Sequence, residues 1–207
     1  MSAEDWYRNK EWNGKIEAAF FDKLRRARRK EQYLRIQACI LAHSHPEVAL
    51  RLLDEYFKLN DDFDHAQAYV DRAKAYLASG EIDKAIASYE AALKREEEFP
   101  TVQTQAYLDL PVLVVSRRIE PRYQQCIDLL LKHQSRLIFP VDLFRWHASM
   151  ALILKRKGDL TGAAENACKA LIEARKEHSG LRYHPNVGLV GTKYDEIQAE
   201  LAELCNI

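Results

Sequence analysis

An all-α fold is predicted by three observations on this 207-residue chain. Only seven Gly and six Pro interrupt it, and these are the residues that break helices. Two segments of 34 residues each, 66–99 and 144–177, repeat one pattern of small and large residues, the mark of stacked helix–turn–helix units. An apolar content of 47% is enough for an ordered core and excludes intrinsic disorder. The 31 Lys+Arg are balanced by 31 Asp+Glu, which excludes a globally basic nucleic-acid binder or a polyacidic tail and leaves local patches open.

The elements follow in chain order. A first helix is expected around Glu11 to Arg28. Residues 30–63 form an expected hairpin in which Tyr33, Ile36, Ile40, Ala49, Leu53 and Tyr56 keep the register, while Gln37 and Ser44 replace a small residue and a Gly. In residues 66–99, Tyr69, Ala73 and Tyr76 lie before Gly80, and Ala85, Tyr89 and Ala92 after it. Alanines at the crossing let two antiparallel helices approach, and Gly80 supplies the turn. Residues 101–136 hold two apolar runs around Ile119-Glu120-Pro121, with Pro111 expected to kink the first. Residues 144–177 repeat the second hairpin, with Ala151, Leu154, Gly158, Ala163, Ala167 and Ala170 at the offsets of Ala73, Tyr76, Gly80, Ala85, Tyr89 and Ala92. A final helix is expected over Lys193 to Cys205, capped through Thr192 and Asp195.

Those six matched positions make the chain resemble the tetratricopeptide repeat (TPR) family, although Arg72 stands where that family has a large apolar residue. The resemblance implies a right-handed α-solenoid of antiparallel helix hairpins with N- and C-terminal flanking helices. It implies a single TPR-like domain over 1–207, divided into an N-terminal helical cap (1–29), about four repeats (30–177), a long loop (178–191) and a C-terminal helix (192–207). It further implies a concave groove, lined by the first helix of each repeat, that binds an extended peptide. By register that groove carries Arg35, Asp71, Lys74, Arg145, Ser149 and Lys155, with Arg156 at its edge. The family's Lys/Asn/Arg clamp on a peptide carboxylate is not matched, because its Asn places hold Ala38, Asp71, Lys74 or Ala148. The remaining groove is mildly basic and suits an acidic segment through charge-assisted hydrogen bonds.

Motifs for chemistry are missing. Cys39, His43 and His45 suggest zinc, but the set has no fourth ligand. Residues 60–64, Asn-Asp-Asp-Phe-Asp, are reminiscent of a calcium loop, but His65 replaces its Gly and Asp71 its bidentate Glu; Asp62 or Asp64 reads better as a helix cap. Gly188 to Lys193 lacks the spacing of a phosphate-binding loop. No GxSxG or HExxH occurs. The expectation is a non-enzyme without catalytic residues, metal or cofactor.

The four cysteines, Cys39, Cys126, Cys168 and Cys205, form no CxxC and fall in apolar helical patterns, so reduced, buried thiols are expected. The start carries acids and aromatics rather than a basic and then apolar leader, and no apolar run approaches a membrane span. A cytoplasmic protein is expected, with no membrane partner. The loop over Lys176 to Val190 is expected to fold back and bury Leu181, Tyr183, Val187 and Leu189, the other reading being a ligand contact by Arg182, Tyr183 and His184. The functional expectation is a protein-protein interaction module or assembly adaptor, with homo-oligomers open to it. The alternatives are a nucleic-acid-associated regulator using the basic run of residues 23–30 (Lys23, Arg25, Arg26, Arg28, Arg29 and Lys30), or an unrecognised enzyme.

Overall fold

The structure, a computed structural model, describes residues 5–59 and 63–206. It is all-α: ten helices and no strand among the described residues. The chain forms two compact units, Met1–Ala106 and Tyr107–Ile207.

The first unit holds α1 (Gly14–Arg26), α2 (Lys30–Leu41), α3 (Pro46–Phe57), α4 (His65–Ala78) and α5 (Ile82–Glu98). Asn13 starts α1 by accepting from the Lys15 and Ile16 amides, the usual use of a short polar side chain at a free helix end. Consecutive helices pack as α2 on α3, α3 on α4 and α4 on α5. Ala38, Ala49, Ala73, Ala85 and Ala92 are fully buried, so the backbones meet where side chains are smallest. Trp6, Tyr7, Trp12 and Tyr33 pack against the end of this core beside Phe20, and Asn9 exchanges hydrogen bonds with the buried Gln37 amide (2.7–3.0 Å). Gln37 is therefore satisfied where a small residue was expected. Arg72 fills its apolar place by laying its guanidinium over Phe57 and Tyr76 while pairing with Asp54 at 2.8 Å, a use of the planar head that Lys lacks.

The second unit holds α6 (Ala106–Ser116), α7 (Tyr123–Lys132), α8 (Pro140–Lys157), α9 (Leu160–Ala174) and α10 (Asp195–Cys205). The α6 helix runs through Pro111. Next, α8 packs on α7 and α9, and α10 on α8 and α9. Ala151, Ala163, Ala167 and Ala170 are fully buried, repeating the alanine seam of the first unit. Trp146 donates its indole N–H to the Leu130 carbonyl at 2.8 Å, joining α8 to α7. Asp159 caps α9 through the Gly162 amide at 2.9 Å.

Three hairpin turns share one hydrogen-bond set. Glu81, Ile119 and Asp159 donate to the carbonyls five residues back, Tyr76, Val114 and Leu154, at 2.9, 2.9 and 3.0 Å. The residue before each donor is left-handed: Gly80 (φ 76°), Arg118 (φ 54°) and Gly158 (φ 87°). This is a helix C-terminal motif that normally takes glycine, and Arg118 is the one non-glycine among the described residues to adopt it. A side chain in that region costs about 1–2 kcal/mol.

Several local expectations are corrected. Asp64 precedes α4 without capping it, because its carboxylate is taken by Arg35 (3.1 Å); Asp62 lies outside the described residues. Thr192 does not cap the last helix, since Thr192–Tyr194 form a 3-10 turn leading into α10 with no side-chain cap. The 176–190 loop leaves Leu181, Tyr183 and Val187 exposed. It is held by polar bonds, Ser179 N–H to Pro185 (2.7 Å) and Ser179 Oγ to His184 (2.8 Å), and by the Val141 amide donating to the Gly188 carbonyl (2.8 Å). Cys168 and Cys205 are joined in a disulfide between α9 and α10, Cys126 is buried and Cys39 exposed. The expectation of four reduced, buried thiols fails because spacing along the chain does not reveal which helices pack.

Gly158→Ala has open space for its methyl group, so only the backbone conformation opposes it. Urea denaturation should show a loss of about 1 kcal/mol. Replacing both Cys168 and Cys205 by Ser should lower stability by roughly 2–4 kcal/mol, and dithiothreitol should reproduce that loss in the wild type and not in the variant.

Candidate functional site

The residues expected at the groove fall into two clusters, one in each unit. Arg35, Asp71 and Lys74 meet between α2 and α4. Asp71 is fully buried and accepts from Arg35 at 3.2 Å and Gln67 at 3.1 Å. Burial holds its pKa above the ordinary carboxylate value, opposed by the Gln67 hydrogen bond and the charges of Lys74 and Arg35. Burial lowers the Arg35 pKa, but Asp64 and Asp71 together outweigh it and the net shift is upward. The Cys39 thiol is also held protonated, by its own desolvation and by the Asp71 carboxylate it faces. Within this cluster Arg35 is committed to two carboxylates, and Lys74 is its exposed member.

In the second unit α8 presents Phe144, Arg145, Ala148, Ser149, Leu152 and Arg156 along one side, positions that return every three to five residues. They line a cavity of ≈ 120 Å³ that is closed by Val112, Val115 and Ser116 of α6, by Arg118 and Tyr123, and by Tyr194, Ile197 and Glu200 near and on α10. Its walls are mainly apolar. Arg145 pairs with Asp109 of α6. Lys155 does not line the cavity, but it holds Glu200, which does, at 3.0 Å. Arg118 and Arg156 are both exposed, and among the described residues neither has a carboxylate within 4.0 Å. Desolvation raises the pKa of Tyr123 and Glu120 adds to this, while Arg156 and Arg118 oppose it. Arg118, Arg156 and Tyr123 all line the cavity, the two arginines at its exposed edge.

Arg118, Tyr123, Tyr194, Ile197 and Glu200 were not singled out in the sequence, since they come from turns and from a flanking helix rather than from the repeated face. One signal was present: Arg118 occupies the turn place that Gly80 and Gly158 hold in the two clearest hairpins.

The remaining sequence candidates lie elsewhere. The six cations of residues 23–30 straddle the α1–α2 turn, all exposed, and Arg25 and Arg26 are both engaged by Asp22. Arg182 stacks on the exposed Tyr183 within the loop (5.4 Å). Among the described residues no helix is long and apolar enough to cross a membrane. Comparison with family models, curated proteins and solved structures finds no match to the chain.

Arg35→Met removes the counter-ion of a fully buried carboxylate and should cost about 3 kcal/mol at pH 7. Because the folded-state pKa of Asp71 is raised, the folded chain binds its proton first as pH falls. The deficit of Arg35→Met should therefore shrink toward pH 4 in parallel denaturation curves.

Proposed function

We propose that the chain is a TPR-like binding module, a right-handed solenoid of helix hairpins that captures an acidic segment of a protein partner and has no chemistry of its own. The observation that carries this reading is the recurrence of one hairpin turn at Gly80, Arg118 and Gly158 with the same hydrogen bonds, accompanied by seams of fully buried alanines in α4–α5 and α8–α9. Repeated hairpins of this kind expose the inner face of their first helices as a recognition surface. Lys74 on α4 is exposed and supplies positive charge there. The nucleic-acid reading is weaker, since Asp22 neutralises part of the basic run.

Anisotropy titrations against fluorescein-labelled acidic peptides, with basic peptides and duplex DNA as controls, test the reading. Wild type should bind at least one acidic peptide, and the Lys74→Glu variant of unchanged helicity should bind it about tenfold more weakly, with a reduced salt dependence. Retention of DNA in preference to every acidic peptide, or equal binding by the variant, would overturn it.

A further inference from the structure

The α8 cavity has three features that a groove for an extended peptide does not require. First, Arg118 is held left-handed at a turn place where both sister turns carry glycine. Non-glycine residues held in this backbone region gather at ligand-binding and switch sites, and this one lines the cavity with its side chain at the exposed edge. Second, the charges around the cavity are unevenly matched. Arg145 is balanced by Asp109, and Lys155 by Glu200, whereas Arg118 and Arg156, which line the cavity together with Tyr123, form no ion pair among the described residues, Glu120 being the acid whose charge also reaches the Tyr123 hydroxyl. Third, the space is small and apolar at its base. Its ≈ 120 Å³ is somewhat less than the roughly 150 Å³ cavity that admits benzene. One ring or one branched aliphatic group fits, and a stretch of peptide backbone does not.

We propose that this cavity is a binding site for a small organic carboxylate, with its apolar body seated against Val115, Ala148, Leu152 and Ile197 and its carboxylate held at the mouth by Arg118 and Arg156. Guanidiniums bind a carboxylate through paired N–H donors, and the Tyr123 hydroxyl is a further donor at the same edge. Mainly apolar walls favour a monoanion over a phosphate dianion, whose desolvation needs more donors than the mouth offers. The site goes beyond the capture of a protein segment: it would make the second unit responsive to a metabolite-sized acid, whether or not an acidic peptide binds elsewhere on the chain.

Phenylacetate is the probe, titrated into the full-length chain and followed by amide chemical shifts. Phenylacetamide tests the need for charge, and phenyl phosphate the choice of anion. Phenylacetate should produce saturable shifts at Ser116, Ser149 and Leu152 with a Kd below about 1 mM, and phenylacetamide should bind at least about tenfold more weakly. Arg118→Gly and Arg156→Gln should each weaken phenylacetate by about tenfold. Arg118→Gly relieves the backbone strain, so its Tm should equal or exceed that of the wild type, which separates lost binding from lost folding. Absence of saturable shifts with phenylacetate would overturn the proposal. So would equal binding of the amide, wild-type affinity in both variants, or tighter binding of phenyl phosphate. The peptide titrations above vary Lys74 of the first unit instead, so each reading can fail without the other.

Discussion

Close approach of paired helices is the constraint on which the rest of the structure depends. Two helices joined by two or three residues, as α4–α5 and α8–α9 are, must lie side by side, and they can do so at short range only where their facing residues lack bulk. Alanine meets that demand at Ala73, Ala85 and Ala92 in one hairpin and at Ala151, Ala163, Ala167 and Ala170 in another, all fully buried. Large side chains are then displaced to the margins of each pair, where Tyr56, Phe144 and Leu201 fill the space between neighbouring elements. The same geometry decides what the inner face of α8 can be. Small Ala148 and Ser149 at its centre, both buried, leave a hollow that a leucine at either place would fill.

The all-α class and the hairpins over 66–99 and 144–177 were legible because their signals are local. A glycine at a turn and alanines at fixed offsets report on neighbours a few residues away, and both turns adopt the left-handed conformation that glycine favours. The third turn was harder to read, since an arginine there carries no turn signal of its own. Its identity emerges from the hydrogen bonds of Ile119 and Glu120, which copy those of Glu81 and Ile82.

Features that depend on distant pairings were not legible. Asp64 looked like a cap and is a partner of Arg35, 29 residues away; the pairing of Cys168 with Cys205 spans 37 residues. Arg35, placed in the groove by register, also sits between Asp64 and Asp71 at 3.1 and 3.2 Å, pairings that spacing along the chain does not reveal. The loop after α9 misled for a different reason. Its aliphatic and aromatic residues suggested burial, yet Ser179, His184 and Pro185 satisfy one another locally and leave Tyr183 outside.

The disulfide has a bearing on the cavity. Tyr194, Ile197 and Glu200 form one of its walls, and the α10 helix that carries most of them is tied to α9 near its far end through Cys205. A helix held by side-chain packing alone can shift and re-dock, and a ligand resting on it must bear the entropy of holding it still. Here that ordering is completed when the two sulfurs join. In the oxidised chain the proposed carboxylate would thus meet a preorganised wall.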